Sequence, residues 1–235
     1  MSVVVIADSL AFHGPERAEP IDDPRLWPNL MGVRLGVEVE VFARQGWTAR
    51  EAWWALSRDP RIWPLLPKAE AVLLATGGMD KLPTALPSYL RSGLSYLPTE
   101  KSRRLARRAY LAVNPVAIRL VGGPFRTLGQ RQTDAYHSRC VAALRALRPD
   151  LPVAGVVVHD WSSPYYPSNH THAAAVAATV AWAARERIPL ADWATAVAPF
   201  APHGLNPDGM HLGWAAHAAV AEATAEVLAP LLRAE

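Results

Sequence analysis

Short apolar runs rich in β-branched residues alternate along this chain with stretches of helical periodicity. The runs fall at residues 3–6, 37–42, 71–75, 153–158 and 189–193, and the helical stretches at 48–57, 133–147, 172–187 and 212–233. This alternation predicts a doubly wound α/β fold, in which parallel strands are joined by helices on both faces of a sheet. The continuous apolar run at 71–75 is typical of a central strand, whereas the alternating apolar and acidic residues at 37–42 indicate a half-buried strand near an edge.

Length and composition set outer limits on the protein class. The 235 residues, 51% hydrophobic and 19% charged, fit a single globular domain over 1–235 and exclude a wholly disordered chain. The single cysteine, Cys140, excludes an internal disulfide framework and a cysteine-rich zinc site. No run approaches the roughly 20 apolar residues of a membrane span. The first eight residues are typical of a strand and not of a signal peptide, so we expect a cytoplasmic protein.

Positive charge is concentrated between residues 101 and 148. That stretch holds eleven Lys and Arg against one acid, Asp134, so its formal charge is +10, whereas the whole chain carries +3 and the remainder therefore −7. Such charge is typical of a solvated helix face, or of a surface for phosphate-bearing ligands or anionic lipid. Because no nucleic-acid motif accompanies it, we expect no nucleic-acid partner. The segment at about 83–130, rich in Pro, Gly and basic residues, is predicted to be an irregular insertion or lid.

Ser9 and the Asp208–His211 segment carry the candidate chemistry. In open α/β sheets, ligands bind beyond the carboxyl ends of the strands, and Ser9 comes directly after the first strand. The spacing of Asp208 and His211 lets the carboxylate accept from one imidazole nitrogen while the other nitrogen faces a nucleophile. Taken singly, each feature is more typical of a helix cap or a loop residue than of a catalytic group.

Together, Asp8-Ser9-Leu10 and Asp208-Gly-Met-His211 resemble the first and last motifs of the SGNH/GDSL family of acyl hydrolases and acyltransferases. The resemblance implies an α/β/α SGNH-hydrolase (flavodoxin-like) fold of three layers, with a central parallel five-stranded sheet. It also implies that Ser9 is the nucleophile, His211 its general base, and Asp208 the residue that orients the histidine.

Two internal segments resemble the second and third motifs of that family, with departures. Arg44–Ala49 has alanine where the family has the glycine whose N–H supports the oxyanion, and Gly77–Asp80 has Met79 where the family has asparagine. An alanine N–H still donates, but a thioether does not. We therefore expect the backbone N–H groups of Ser9 and Ala49, or of Gly46, to hold the oxyanion. The remaining Asp80 is expected to structure its loop.

Further phrases, among them Asp23–Leu30 and Ala75–Asp80, resemble an actinobacterial subfamily of SGNH acyltransferases. That resemblance implies transfer of a medium-chain acyl group (octanoyl) from acyl-CoA to a hydroxyl of diglucosylglycerate, in methylglucose lipopolysaccharide synthesis. It implies acyl-CoA as co-substrate and no cofactor. The expected substrate-binding residues are Trp47, Gly78, Met79, Asp80 and His159.

Two other functions stay open at this point. One is a carbohydrate or lipid esterase of the same family that uses water as acceptor, and the other is a catalytically weak sugar- or lipid-binding protein. Metal is not expected, because His170 and His172 have no third ligand nearby in the sequence. The sequence leaves the acyl length, the acceptor hydroxyl, the donor carrier and the oligomeric state undetermined.

Overall fold

Five parallel strands form the centre of the molecule in a computed structural model that describes residues 2–87, 90, 93, 96–201 and 205–232. The strands are β1 (Ser2–Ala7), β2 (Glu38–Ala43), β3 (Ala69–Ala75), β6 (Val153–Val157) and β7 (Leu190–Asp192), and their order in the sheet is β2-β1-β3-β6-β7. The central strands β1 and β3 are buried almost throughout, whereas β2 is partly exposed and lies at one edge. Both positions match the predictions from their residue patterns.

The register of the strands brings three motif segments to one edge of the sheet. Ala7 at the end of β1 pairs with Ala43 at the end of β2 and with Ala75 at the end of β3. The residues that follow each strand therefore start side by side. This is the edge at which α/β folds bind their ligands.

Helices cover both faces of the sheet and complete the three layers. The helices are α1 (Trp27–Leu35), α2 (Ala49–Arg58), α3 (Glu100–Val121), α4 (Gln130–Leu147), α5 (His172–Glu186), α6 (Trp193–Val197) and α7 (Trp214–Leu232), and there are 3-10 turns at Ser9–Ala11 and Ala198–Phe200. Helices α1, α6 and α7 share one core with Val3, Val5 and Leu73. Helices α2, α4 and α5 share the other with Val4, Ile6 and Leu74. The predicted α/β/α fold is confirmed.

Helix α7 is long and apolar enough to cross a membrane, with a mean hydropathy of 1.2, and is the one such helix among the described residues. Its side chains instead fill one layer of the core, where Val220 and Leu228 are fully buried. His217 on the same helix is buried too, and its ring accepts the backbone N–H of Trp27 at 3.1 Å. These contacts are those of a core helix.

The segment at 83–130 is more regular than its composition predicts. It contains the 22-residue helix α3, which starts after Thr99, whose side chain accepts from the Ser102 N–H, and ends at Gly122, where φ is +74°. Strands β4 (Pro83–Thr84) and β5 (Phe125–Arg126) pair antiparallel beside it. The expectation of an irregular segment is therefore wrong for 100–121. Its composition did not indicate a helix, because Pro115 and six basic residues lie within it; among its described side chains, Asn114 and Ile118 are the buried ones.

Candidate active site

Ser9 is held at the end of β1 by a tight turn. The Asp8 side chain accepts the Leu10 N–H at 3.0 Å, and this bond caps the 3-10 turn that begins at Ser9. Ser9 is buried, and its hydroxyl lies 2.9 Å from Nε2 of His211. The turn thus aims the serine side chain at the imidazole that the sequence predicted as its partner.

The loop that carries Asp208 and His211 is closed by its own hydrogen bonds. The Asn206 N–H donates to the carbonyl of His211 at 2.8 Å, and Leu205 bridges to Leu212 in antiparallel fashion. The Asn206 side chain accepts the Asp208 N–H at 3.0 Å and donates to the Gly14 carbonyl at 3.0 Å. The loop is therefore anchored to the segment that follows Ser9.

The protonation of His211 follows from its partners. Its Nδ1 lies 2.5 Å from Oδ2 of Asp208, and an ionised carboxylate can only accept a hydrogen bond. The proton is therefore on Nδ1, which leaves Nε2 to accept from the Ser9 hydroxyl. His13 stacks on the same ring, with centroids 3.9 Å apart and planes inclined by 16°. The imidazole is thus fixed at its edge and on one face.

Hydrogen bonds keep the Asp208 carboxylate ionised. Burial by itself would raise its pKa, but bonds from the His211 side chain, from the His211 N–H and from the Met210 N–H outweigh burial and lower the pKa to about 2. An ionised Asp208 holds the histidine in the tautomer needed for a general base, and it stabilises the imidazolium that forms on proton transfer.

Gly209, between the acid and the histidine, is packed against the loop after β6. Its φ is +68°, and a Cβ there would lie 1.9 Å from the carbonyl oxygen of Ser162. The Ser162 N–H in turn donates to the Gly209 carbonyl at 2.9 Å. Only glycine fits at this position, because the backbone is in the left-handed region and there is no room for a Cβ atom.

A cavity of about 370 Å³ opens over Ser9, Asp208 and His211. Apolar side chains form one part of its wall, namely Leu10, Met79, Leu82, Val158 and Met210, and aromatic side chains form another, namely Trp161, Tyr165 and Tyr166. Gln45, Gly46 and Arg107 also line it. The cavity thus joins the hydroxyl–imidazole–carboxylate array to a surface that suits an alkyl chain and to rings that can pack on a sugar face.

The backbone N–H of Ala49 does not point into this cavity. It donates to both oxygens of the buried Asp80 carboxylate, at 3.1 and 3.2 Å, at the start of α2. Gly46, three residues earlier, lines the cavity and has a φ of +77°. Of the two alternatives raised by the sequence, Gly46 therefore lines the cavity, whereas the Ala49 N–H is already bonded to Asp80.

Asp80 is a structural residue and not a substrate ligand. Its carboxylate also accepts from the Thr133 hydroxyl at 2.8 Å, and its carbonyl accepts the Leu128 N–H. Burial raises its pKa to about 7, against the lowering effect of the Thr133 and Ala49 bonds. The expectation of substrate binding is corrected here, whereas the expectation that Asp80 structures its loop matches these contacts.

Trp47 also lies away from the cavity. It packs against the core beneath α2 and lines a separate groove with Phe42 and Arg61. The cavity contains Trp161 instead, which sequence reasoning did not single out. The available signal was its position just after β6, at the same edge of the sheet as Ser9.

The other expected substrate residues, Gly78, Met79 and His159, do line the cavity. His159 donates from Nε2 to the Met210 carbonyl at 2.9 Å, and its buried Nδ1 has no partner among the described residues. Burial lowers the pKa of His159 to about 4, so the ring is neutral. No chemistry is assigned to it by these contacts.

Lys81 ties the third motif to the end of β6. Its ammonium donates to the Val158 and His159 carbonyls at 2.9 and 3.2 Å, and it lies 2.9 Å from Nδ1 of His172. Burial lowers its pKa to about 7, against Asp160 and Asp8. Because these bonds are all made within the protein, Lys81 stabilises the wall of the cavity. Among the described residues, no group of three or more His, Cys, Asp or Glu could hold a metal.

Comparison with known proteins gives relatives over nearly the whole chain. No family model matches. A diglucosylglycerate octanoyltransferase of Mycobacterium tuberculosis is 40% identical over 231 residues, which cover 97% of this chain and 92% of that protein. A second diglucosylglycerate octanoyltransferase, of Mycolicibacterium hassiacum, is 39% identical and is covered to 95% of its length.

Solved structures share the fold at much lower identity. TesA superposes with a TM-score of 0.62 at 17% identity, covering 98% of this chain and 99% of TesA. A lipase/acylhydrolase from Enterococcus faecalis gives a TM-score of 0.63 at 12% identity, with 97% and 95% coverage. These similarities show the SGNH/GDSL fold.

Proposed function

The chain belongs to the family of the diglucosylglycerate octanoyltransferases, and from this premise we propose that it moves an octanoyl group from acyl-CoA to a hydroxyl of diglucosylglycerate through an acyl-serine. Acyl transfer follows from the 40% identity over nearly the whole chain. By resemblance to the family we also place the reaction in the cytoplasm, within methylglucose lipopolysaccharide synthesis.

In the first half-reaction, Ser9 attacks the thioester carbonyl while His211 takes the hydroxyl proton at Nε2. Ser9 Oγ and His211 Nε2 lie 2.9 Å apart, which is within hydrogen-bonding distance and supports this proton transfer. Asp208 stabilises the resulting imidazolium. The tetrahedral intermediate collapses with loss of the thiolate, which takes the proton from His211 and leaves as coenzyme A.

The oxyanion of that intermediate requires preorganised donors. We assign the backbone N–H groups of Ser9 and Gly46, because both residues line the cavity and the Ala49 N–H is bonded to Asp80. Met79 occupies the position of the family's asparagine and offers no donor. A site with one donor fewer is expected to react more slowly with general esters, since one oxyanion donor contributes about 10²–10³ in rate.

In the second half-reaction, a sugar hydroxyl attacks the acyl-serine carbonyl while His211 takes the hydroxyl proton, and the bond from the acyl carbon to Ser9 Oγ then breaks as His211 returns that proton to the serine. Trp161, Tyr165 and Tyr166 provide faces on which pyranose rings can pack, close to the serine. Occupation of that wall by the acceptor excludes water from the acyl-enzyme, which favours transfer over hydrolysis.

The single observation that supports the catalytic part is the Ser9–His211–Asp208 array, with distances of 2.9 and 2.5 Å at the carboxyl edge of the sheet. The test is incubation of the purified protein with octanoyl-CoA, with and without diglucosylglycerate. Products and intact protein are read by mass spectrometry, and Ser9→Ala is the control.

Acceptor-dependent octanoyl-sugar, together with an octanoyl adduct that maps to Ser9 and is absent from Ser9→Ala, is the expected result. Equal octanoate release with and without acceptor would make the protein an esterase. Normal turnover by Ser9→Ala would overturn the mechanism, and absence of both adduct and product would overturn the proposed donor and acceptor.

A further inference from the structure

One face of helix α3 lies toward the body of the protein. Along the helix, the residues on this face change from buried near the C-terminal end to exposed and basic toward the N-terminal end. Near the C-terminal end the face is buried at Asn114 and Ile118, and the Asn114 side chain accepts the Ala85 N–H at 3.2 Å. Seven residues before Asn114, about two helical turns, the same face carries Arg107. One turn further toward the N-terminus it carries Arg103. Arg107 lines the cavity, and Arg103 lies on the same face of the helix one turn away.

Arg107 differs from Lys81, the other Lys or Arg side chain that lines the cavity among the residues that the structure describes. The Lys81 ammonium is buried and bonded to two carbonyls and to His172, so it has no donor left for a ligand. Arg107 is exposed, and within the described part of the chain its guanidinium has no carboxylate or carbonyl partner. Its donors are free for an anion.

The charge around Arg107 favours a polyanion. Helix α3 contains six basic residues, Lys101, Arg103, Arg104, Arg107, Arg108 and Arg119, against the one acid Glu100. Glu100 already pairs with Arg104 at 2.7 Å. The Arg103 guanidinium gives one donor to the Leu97 carbonyl at 2.9 Å and keeps others unused. Guanidinium groups bind phosphate in bidentate fashion more readily than ammonium groups do.

The cavity is too small for a whole acyl-CoA. Its volume of about 370 Å³ is near the lower end of the range for small-molecule sites, about 300–1,000 Å³. It must accept the acyl chain and part of a glycosylated acceptor near Ser9. The nucleotide of a CoA donor therefore lies at the rim, which is where Arg107 is found.

We propose that Arg107, assisted by Arg103, binds the nucleotide phosphates of the acyl-CoA donor and thereby selects a CoA thioester over a simpler one. This inference rests on the proposed function for its donor class. It makes these arginines specificity-determining residues that touch a part of the donor remote from the reacting carbonyl.

The experiment compares two octanoyl thioesters that differ in the nucleotide: octanoyl-CoA and S-octanoyl-N-acetylcysteamine, which has no phosphate. For Arg107→Ala, kcat/KM for octanoyl-CoA is expected to fall about 10- to 100-fold, mainly through KM, since a hydrogen bond to a charged group contributes that much. The loss with the phosphate-free donor is expected to be about twofold or less. Arg107→Lys should recover part of the loss. Arg108→Ala, an exposed neighbour on another face of α3, is the matched control.

Two results would overturn the inference. An equal fractional loss with both donors would show that Arg107 acts on the acyl group or on the chemistry. A rise in KM for diglucosylglycerate, with both donors unaffected, would assign Arg107 to the glycerate carboxylate of the acceptor instead.

Titration with coenzyme A itself separates this inference from the proposed function, because it needs no turnover. Arg107-dependent binding of coenzyme A by a protein that only hydrolyses octanoyl thioesters would support the phosphate site and reject transfer. Transfer from octanoyl-N-acetylcysteamine by a protein that does not bind coenzyme A would do the reverse.

Discussion

Asp208 and Asp80 belong to two motif segments at the same edge of the sheet, and the structure uses their carboxylates in opposite ways. Asp208 is partly accessible, lines the cavity and is held ionised, with a pKa of about 2, by the bonds from His211 and Met210. Asp80 is buried away from the cavity, with its pKa raised to about 7 by burial. Both accept backbone N–H groups, so the number of bonds alone does not distinguish them.

The difference lies in what each carboxylate faces. Asp208 faces an imidazole that gains a proton during the reaction, so its negative charge has a partner at the moment when charge develops. Asp80 faces a hydroxyl and an amide, and it joins α2 to α4 through Ala49 and Thr133. Of the two aspartates, Asp208 therefore has an imidazole between its carboxylate and the Ser9 hydroxyl, and Asp80 does not.

Replacing each aspartate by asparagine should separate the two roles most strongly. Asp208→Asn is expected to lower kcat by roughly 10³–10⁴, because an amide no longer selects the Nδ1–H tautomer of His211. Asp80→Asn should keep kcat within about tenfold. Initial rates of octanoyl transfer, measured on protein shown to be folded by circular dichroism, provide the comparison. Equal losses in the two variants would contradict the division of roles.

The pH dependence of stability should show the same contrast with opposite signs. The folded-state pKa of Asp80 lies above its ordinary value, so Asp80 disfavours the folded state increasingly as pH rises from about 4 to 7. The folded-state pKa of Asp208 lies below its ordinary value, so its stabilisation is lost as pH falls from about 4 to 2. At 1.36 kcal/mol per pKa unit, the effects are at most about 4 and about 2 kcal/mol.

Urea unfolding of the wild type and of the two asparagine variants between pH 2 and 7 measures the two effects as differences in the free energy of unfolding. Burial lowers the pKa of His137, His159 and His217 to about 4 each. These histidines therefore stabilise the folded wild type increasingly as pH rises from 4 to 6.5, which opposes the effect of Asp80. Relative to wild type, Asp80→Asn should therefore gain stability as pH rises to 7. A constant difference between the two curves would refute the assignment.

The assignment of the oxyanion donor can be sharpened with two glycines. Gly46 and Gly36 have φ values of +77° and +68°, and a Cβ at either would meet nothing within 4 Å. Alanine at either position should lower the free energy of unfolding by a similar amount, about 1 kcal/mol. Only Gly46→Ala should also lower kcat, by about 10², because it displaces a donor at the cavity. A similar kcat for both variants would remove Gly46 from the oxyanion site.

Met79→Asn is expected to have the smallest effect. An amide donor in the cavity should raise octanoate release in the absence of acceptor by up to about tenfold, since one more hydrogen bond becomes available to the oxyanion. Met79→Leu keeps a similar volume without a donor and should leave that rate unchanged. An unchanged rate in Met79→Asn would show that its side chain does not reach the reacting carbonyl.

The sequence predicted that Ser9, His211 and Asp208 lie together, and the structure brings them into contact, because the signals for this array are local. Ser9 follows a β-branched run, and Asp208 and His211 are three residues apart within one loop, so short-range spacing encodes their geometry. The five strands and their order of burial were likewise accessible from periodicity.

What the sequence did not reveal depends on contacts between distant segments. Whether the Ala49 N–H points to a cavity or to a carboxylate is decided by Asp80, 31 residues away. Trp47 and Trp161 both follow strands at the same edge, and only packing under α2 separates them. The 22 residues of helix α3 resemble an irregular segment in composition, because Pro115 and six basic residues lie within the helix.

The packing of Gly209 against Ser162 has a consequence for the evolution and engineering of this enzyme. Gly209 lies between Asp208 and His211, and its partner Ser162 is next to Trp161 in the chain. The loop that carries Asp208 and His211 is therefore packed directly against the segment that carries the aromatic wall. Under the proposed mechanism, substitutions that move the backbone at Ser162 are therefore expected to move the Asp208–His211 loop as well, and with it the alignment of the proton transfer to His211.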